Sequence, residues 1–307
     1  MASPFRALSP WNDVRRQLAE LLHDEREQPH FLDRIGHLTL RIDALIDEDR
    51  DAAIFAVMQF DQSDYGVNHS LQAAVICATY GRVSGWSEPE RCSAIGAGLT
   101  MNIAMLDLQQ ELYHQREPPS AAQREAIRNH PQCGHDLLER LGLCDRLWLQ
   151  IVIEHHESAD GHGYPSGTGE PLPLAAALGL ADRYSAKITR RLYRAALAPD
   201  TAIRELYQMN PGEARVDIDR MVEAVGLWPP GTFVELANGE TAVVATRGEG
   251  SDRQPLVYAL LNAQLAEIKP TARDTSEAAY EIKGSAGPIS MGATARLPRL
   301  VAAAALA

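Results

Sequence analysis

Between Leu147 and Pro165 the chain changes character within a few residues, and that change limits what can fold around it. Leu147-Trp148-Leu149-Gln150-Ile151-Val152-Ile153 reads as a buried helix running straight into His155 and His156. Gly161, Gly163 and Pro165 then impose a rigid turn through which no helix continues. Two adjacent imidazoles at the end of an apolar helix point to a metal, because neutral imidazole is the commonest metal-binding side chain.

Hydrophobic spacing extends the helical reading over most of the chain. Val14, Leu18, Leu21 and Leu22 form one apolar stripe and Phe31, Ile35, Leu38, Ile42 and Leu45 another, with Pro29 between, so residues 1–47 read as two helices. They pack on the main domain or against a second copy in a homodimer. The acidic run 47–51 reads as a solvated connection. Residues 48–228 read as helical throughout. Pro118-Pro119 interrupts them, Ser120-Ala121-Ala122-Gln123 is a capping box opening the helix that leads to His130, and Pro131 opens another that Gly142 closes. Pro173 begins the alanine-rich helix carrying Asp182. From Pro229 the period becomes two: 232–236 alternates, Asn238-Gly239 signals a two-residue hairpin, 241–245 returns and 254–260 adds a third strand. Residues 229–270 are therefore expected to form a small β unit that must lean on the helical body to be stable. Residues 271–307, rich in Ala, Gly, Ser and Thr, read as a loosely ordered tail whose stretch 300–306 docks as a short helix.

The run from His155 to Pro165 resembles the signature of the HD-GYP family, a branch of the HD metal-dependent phosphohydrolases whose characterised members hydrolyse the bacterial second messenger cyclic di-GMP. His69 in Asn68-His69-Ser70 is similar to the family's first metal histidine, and Asn129-His130-Pro131 with Gly134 to its middle one. Ala181-Asp182-Arg183-Tyr184 is similar to its carboxylate segment, and Arg191-Leu192-Tyr193-Arg194 to its basic turn. Residues 48–228 follow the family in order and spacing. The resemblance implies a mainly α fold, an HD-type helical bundle with N-terminal helices before it and the small C-terminal β unit after it. It also implies metal ligands at His69, His130, His155, His156 and Asp182, and a signature loop Gly163-Tyr164-Pro165.

The residues that name the family are missing. Alignment of Gly98-Leu99-Thr100-Met101-Asn102-Ile103-Ala104-Met105 puts Met101 at the family's histidine, Asn102 at its aspartate and Met105 at its lysine. The literal dipeptides His23-Asp24 and His135-Asp136 fall out of order and read as structural. In a two-metal hydrolase the central aspartate bridges both ions and helps hold the attacking water. Asparagine offers one neutral oxygen and bridges poorly, and a methionine thioether is a soft donor ill suited to manganese, iron or zinc. The surviving set therefore implies one divalent transition ion (Fe, Mn, Zn or Ni), held by His130, His155 and His156 with Asp182 or Asn102 nearby, or none. Taken singly, His69 and His130 have plainer readings as hydrogen-bonded core or capping residues, and His130 is placed to cap a helix begun by Pro131.

Beyond Asp182, the residues Arg183, Lys187, Arg190 or Arg191, and Arg194 recur at helical intervals and are expected to share a face. The chain carries 29 Lys plus Arg against 41 Asp plus Glu, so a basic stripe beside a metal site stands out. It reads as a phosphate contact through bidentate guanidinium bonds, or as a solvated face paired with surface carboxylates. Arg191 is the strongest candidate by its match to the family. Tyr164 reads as a contact to a guanine base or a signalling partner, or as a buried turn aromatic.

Composition limits the remainder. A net charge of −12 excludes general binding to DNA or RNA, where phosphate attraction supplies most non-specific affinity. No uninterrupted apolar run is long enough to span a membrane. Cys77, Cys92, Cys133 and Cys144 are scattered without zinc-type pairing and no secretory signal precedes them, which points to a reducing cytoplasm. Three functions follow: a receptor for cyclic di-GMP or its linear product pGpG with catalysis lost or strongly impaired, a ligand-free scaffold working through the Gly163-Tyr164-Pro165 surface, and a phosphodiesterase with a reduced metal site. Losing both dyad residues and the lysine favours the first two.

Overall fold

A computed structural model describes residues 8–24, 28–60, 64–192, 194–209, 215–248 and 254–286. Helices come first: α1 Leu8–His23, α2 Phe31–Glu48, α3 Arg50–Gln59, α4 Tyr65–Val83, α5 Glu88–Thr100, α6 Leu106–His114, α7 Ala121–Arg140, α8 Arg146–Glu154, α9 Pro173–Ile188, α10 Pro199–Met209 and α11 Arg215–Val225. Strands β1 Phe233–Leu236, β2 Thr241–Thr246, β3 Leu256–Leu261, β4 Glu267–Asp274 and β5 Ile282–Ser285 follow. The mainly α bundle with a small C-terminal sheet is as expected. No helix among the described residues is long and apolar enough to cross a membrane.

Helix α4 is the axis. Its sequence is apolar or small on every side, and every residue from Tyr65 to Gly81 is buried, which is how a helix without a polar face must sit. Helices α3, α5, α6, α9 and α11 pack around it. The two N-terminal stripes join the same core: Trp11, Val14, Leu18, Leu21 and Leu22 of α1 and Phe31, Ile35, Leu38 and Ile42 of α2 are buried with α4 residues in one cluster. Each such side chain contributes about 1.5–3 kcal/mol on burial. These helices thus lean on the bundle itself.

The acidic run after α2 is not a simple solvated connection. Asp49 caps α3 by accepting from the Ala52 N–H at 2.9 Å. Asp47 accepts from Arg82 at 2.7 Å, and Asp51 pairs with Arg247 of the segment after β2 at 2.5 Å. The run breaks the helix and ties α4 and the sheet to it.

The capping box at Ser120 and Gln123 forms, and Gly142, with φ +96°, closes the region after α7. Pro131 opens no helix, however. It lies inside α7, which runs through it for 20 residues. Burial of His130, Pro131, Gly134 and Leu138 on one face holds α7 together against the roughly 3 kcal/mol that an interior proline costs.

The sheet has the order β4-β3-β2-β1-β5 with all pairings antiparallel. Asn238-Gly239 forms the tight β1–β2 turn, with Gly239 at φ +82°. One face packs Val243, Ala245 and Leu260 on Phe55 of α3, so the β unit does lean on the helices. The sheet does not stop at residue 270: β4 continues to Asp274, and β5 adds an edge strand because Ile282 and Tyr280 cover its second apolar face. The expected 300–306 helix lies outside the described residues.

Candidate metal centre

Helix α7 carries His130, the end of α8 carries His155 and His156, α4 carries His69 and α9 carries Asp182. Pro131 has no N–H, so the Ile127 carbonyl four residues back loses its helical donor. The His130 Nδ1–H takes that place at 2.5 Å. His155 follows the last turn of α8, where carbonyls lack helical partners, and its Nδ1–H donates to Val152 O at 2.7 Å. Both rings are thereby fixed with bare Nε2 atoms, and these face each other at 3.2 Å.

Two opposed lone pairs with no proton between them repel, and a shared cation removes the conflict. Ligating histidines commonly donate their second N–H to a carbonyl in just this way. A ring nitrogen of His156 joins them, and the three ligand atoms lie within 4.8 Å of one another. This donor set fits one divalent transition ion.

Burial pushes His130 down to about 3, with His155 adding to the shift. Burial also lowers His155, and lowers His156 well below its ordinary value. All three are therefore neutral and ready to ligate at pH 7. His69 and Asp182 form a second unit: the His69 Nε2–H donates to Asp182 Oδ1 at 2.7 Å, and both are buried. Burial alone would raise the Asp182 carboxyl, but the effects led by the His69 hydrogen bond outweigh it and hold it ionised. The five expected ligands thus divide into a triad and a pair.

The pair and, of the triad, His156 line a cavity of about 140 Å³ whose walls also include Tyr65, Tyr164 and Arg191. Met105, aligned with the family's lysine, also lines it. Met101 is packed in the apolar core, and Asn102 is 1% exposed with neither amide atom hydrogen-bonded. A larger cavity of about 790 Å³ lies at the seam of α3, α11 and the sheet. Its Arg247 and Asp51 pair with each other and, among the described residues, no metal-ligand cluster lies there, so the smaller cavity is the candidate site.

The basic stripe does not share a helical face. α9 ends at Ile188, Thr189 is extended with its hydroxyl bonded back to Ser185 O, and Arg191 and Arg194 pair with each other's backbones in the next turn. Lys187 binds Glu205 at 2.6 Å, and Arg183 is half-buried beside Gly179. Of the stripe only Arg191 lines the cavity, its guanidinium 5.0 Å from the Tyr65 ring centre.

Two close approaches shape the site. A Cβ on Gly179 would lie 2.0 Å from His155 O, so only glycine lets α9 cross the end of α8 there. A Cβ on Gly163 would meet Glu157 Cα at 2.5 Å. The buried Glu157 carboxylate accepts the Ser166 and Gly167 N–H groups at 2.6 and 3.1 Å and gathers the signature loop, turning Tyr164 onto His156 with ring centres 4.6 Å apart. Glu157 was not read as a site residue, nor were Tyr65, Gln109 and Arg128. Tyr65 had a signal, standing one helical turn before His69.

The HD domain family model matches residues 55–219, more than half of the chain. The chain belongs to the HD domain family. Among curated HD relatives it is similar to cyclic di-GMP phosphodiesterase PA4108 of Pseudomonas aeruginosa, at 27% identity over 69% of this chain and 52% of the relative. Cyclic di-GMP phosphodiesterase PdeB of Borreliella burgdorferi is 22% identical over 67% of this chain and 55% of its own. The chain therefore spans about half the length of these relatives. Its fold resembles Bd1817, an HDG"Y"P protein from Bdellovibrio bacteriovorus, with a TM-score of 0.58 over 69% of this chain and 68% of that one at 16% identity. These matches agree with the HD-GYP resemblance. Domains of this family are typically metal-dependent, in keeping with the histidine cluster.

Proposed function

We propose that this HD domain is a receptor for cyclic di-GMP or pGpG, with one divalent transition ion held by His130, His155 and His156 and with hydrolysis lost or strongly impaired. The observation that carries the reading is the pair of Nε2 atoms facing at 3.2 Å with both Nδ1 protons committed to backbone carbonyls. When bound there, the ion supplies Lewis acidity toward a phosphoryl oxygen. Asp182 is held by His69 beside the cluster, Arg191 presents its guanidinium over Tyr65 for a phosphate, and Tyr164 lies against His156 at the loop. The aligned dyad position supplies a buried neutral amide, Asn102, where a bridging carboxylate is needed. The inward turn of Tyr164 supports a ligand role over a protein-partner role.

A second reading, slow phosphodiester hydrolysis, is favoured by the survival of the imidazole triad with the His69–Asp182 pair beside it. Elemental analysis, calorimetric titration with cyclic di-GMP and a turnover assay with manganese or iron separate the readings. The expected result is about one ion per chain, saturable binding and little turnover. Turnover at the rate of an intact relative overturns the receptor reading, and absence of both metal and nucleotide binding leaves the scaffold. Met101→His with Asn102→Asp is expected to raise metal content and restore turnover.

A further inference from the structure

One charged group at this site belongs neither to the ligand set nor to the signature. Arg128 lies on α7 two residues before His130, and it is exposed. Its guanidinium carbon is 5.2 Å from the centre of the Tyr164 ring, which lies tilted against His156 with ring centres 4.6 Å apart. Those two steps keep it within about 10 Å of the His156 ring. Arg191, on the cavity wall, repeats the arrangement, 5.0 Å from Tyr65, which stacks at 5.3 Å on His69. Each guanidinium is thus carried by a tyrosine that rests on a site histidine. Among the described residues Arg128 has no hydrogen-bond or ion-pair partner, although the chain's net charge is −12.

The cavity volume of about 140 Å³ is well below the roughly 300–1,000 Å³ that encloses a drug-sized ligand. A dinucleotide can seat one phosphate inside and must lay the rest across the rim. A guanidinium stacked on an aromatic ring uses its face, while its N–H edges stay free to fork onto phosphate oxygens. The short helical link to His130 fixes where that fork stands. We propose that Arg128 binds the phosphate of a dinucleotide that lies outside the cavity, and so makes the site prefer dinucleotides to mononucleotides.

This inference rests on the nucleotide reading above, and its test separates the two. Calorimetric titrations with cyclic di-GMP, pGpG and GMP are compared for the wild type, Arg128→Met and Arg128→Lys, with metal content measured in each. Arg128→Met is expected to weaken both dinucleotides by about 10- to 100-fold, the range of a hydrogen bond to a charged group, while GMP affinity and metal content hold. Arg128→Lys, which keeps charge without the fork, should recover part of the loss. If Arg128 merely clamps the loop, GMP and dinucleotides weaken together and the preference ratio stays put; that result overturns the proposal and leaves the receptor reading standing. A metal-loaded wild type that binds none of the three removes both.

Discussion

Replacing Gly179 by alanine tests whether the crossing of α8 and α9 sets the metal centre. The new Cβ would lie 2.0 Å from the His155 carbonyl oxygen, against 3.4 Å for an ordinary contact, so the two backbones must part by about 1.4 Å. The two nearest atoms are the backbone O and C of His155, so the strain cannot be shed by a rotamer change. Overpacking of this kind costs about 1–3 kcal/mol. At about 2–4 °C per kcal/mol for a domain of this size, chelator-treated protein should melt several degrees lower. The movement also shifts His155 at the end of α8 against His130 on α7 by far more than the roughly 0.2 Å tolerance of metal–ligand distances. Zinc affinity, read by competition with a chromophoric chelator, should therefore fall with the melting temperature. Gly36→Ala in α2 is the control, because a Cβ there meets nothing within 4 Å and alanine is up to about 1 kcal/mol better in a helix interior. Unchanged melting and affinity in Gly179→Ala, or an equal loss in Gly36→Ala, would refute the argument.

Three further outcomes follow from the same geometry. His130 is depressed by burial and by His155 from 6.5 to about 3, so the native state keeps it neutral while the unfolded chain takes up a proton; its contribution is complete above pH 6.5 and is lost as pH falls toward 3. Denaturant midpoints of metal-free protein should fall across that window, less steeply in His130→Gln, and parallel profiles count against it. Asp43→Ala removes the buried carboxylate that Arg82 and Arg91 share at 2.7 and 3.0 Å, with Asp47 as the remaining carboxylate partner of Arg82, and should cost about 1–3 kcal/mol in urea, whereas Arg16→Ala, on an exposed pair, should cost under about 1 kcal/mol; equal losses would contradict the network. Pro131→Ala gives Ile127 O a helical donor that competes with His130 Nδ1, so stability should rise by up to about 3 kcal/mol while zinc affinity drops about tenfold or more; unchanged affinity would show that the carbonyl does not orient the ring.

Much of the fold was legible because its signals are local. The stripes of α1 and α2, the Ser120 capping box, Gly142 and the Asn238-Gly239 hairpin each act within a few residues of themselves. The sheet beyond residue 270 was not, since β5 is polar by sequence and becomes a strand only through pairing with β1. The stripe from Arg183 to Arg194 failed for a similar reason. Its spacing is helical, but helical spacing places residues on one face only while the helix lasts, and α9 stops at Ile188.

Pro131 shows why the site was harder to read than the fold. Local rules count an interior proline as a fault and so place a helix start there, with His130 as its cap. In the structure α7 continues, and the missing N–H frees the carbonyl that fixes the His130 tautomer. Gly179 has the same character: as a helix residue it is a poor choice, and its reason lies on another helix, at the His155 carbonyl. Arg128 looks like an ordinary exposed helix residue until Tyr164, 36 positions later, is found beneath it. At each of these positions the local preference is overruled by a structural partner, and all three overrulings converge on the histidine triad and the tyrosine beside it. That convergence is expected of a site held in place for its chemistry, and it is the reason to seek a ligand there although the aligned dyad is Met101-Asn102.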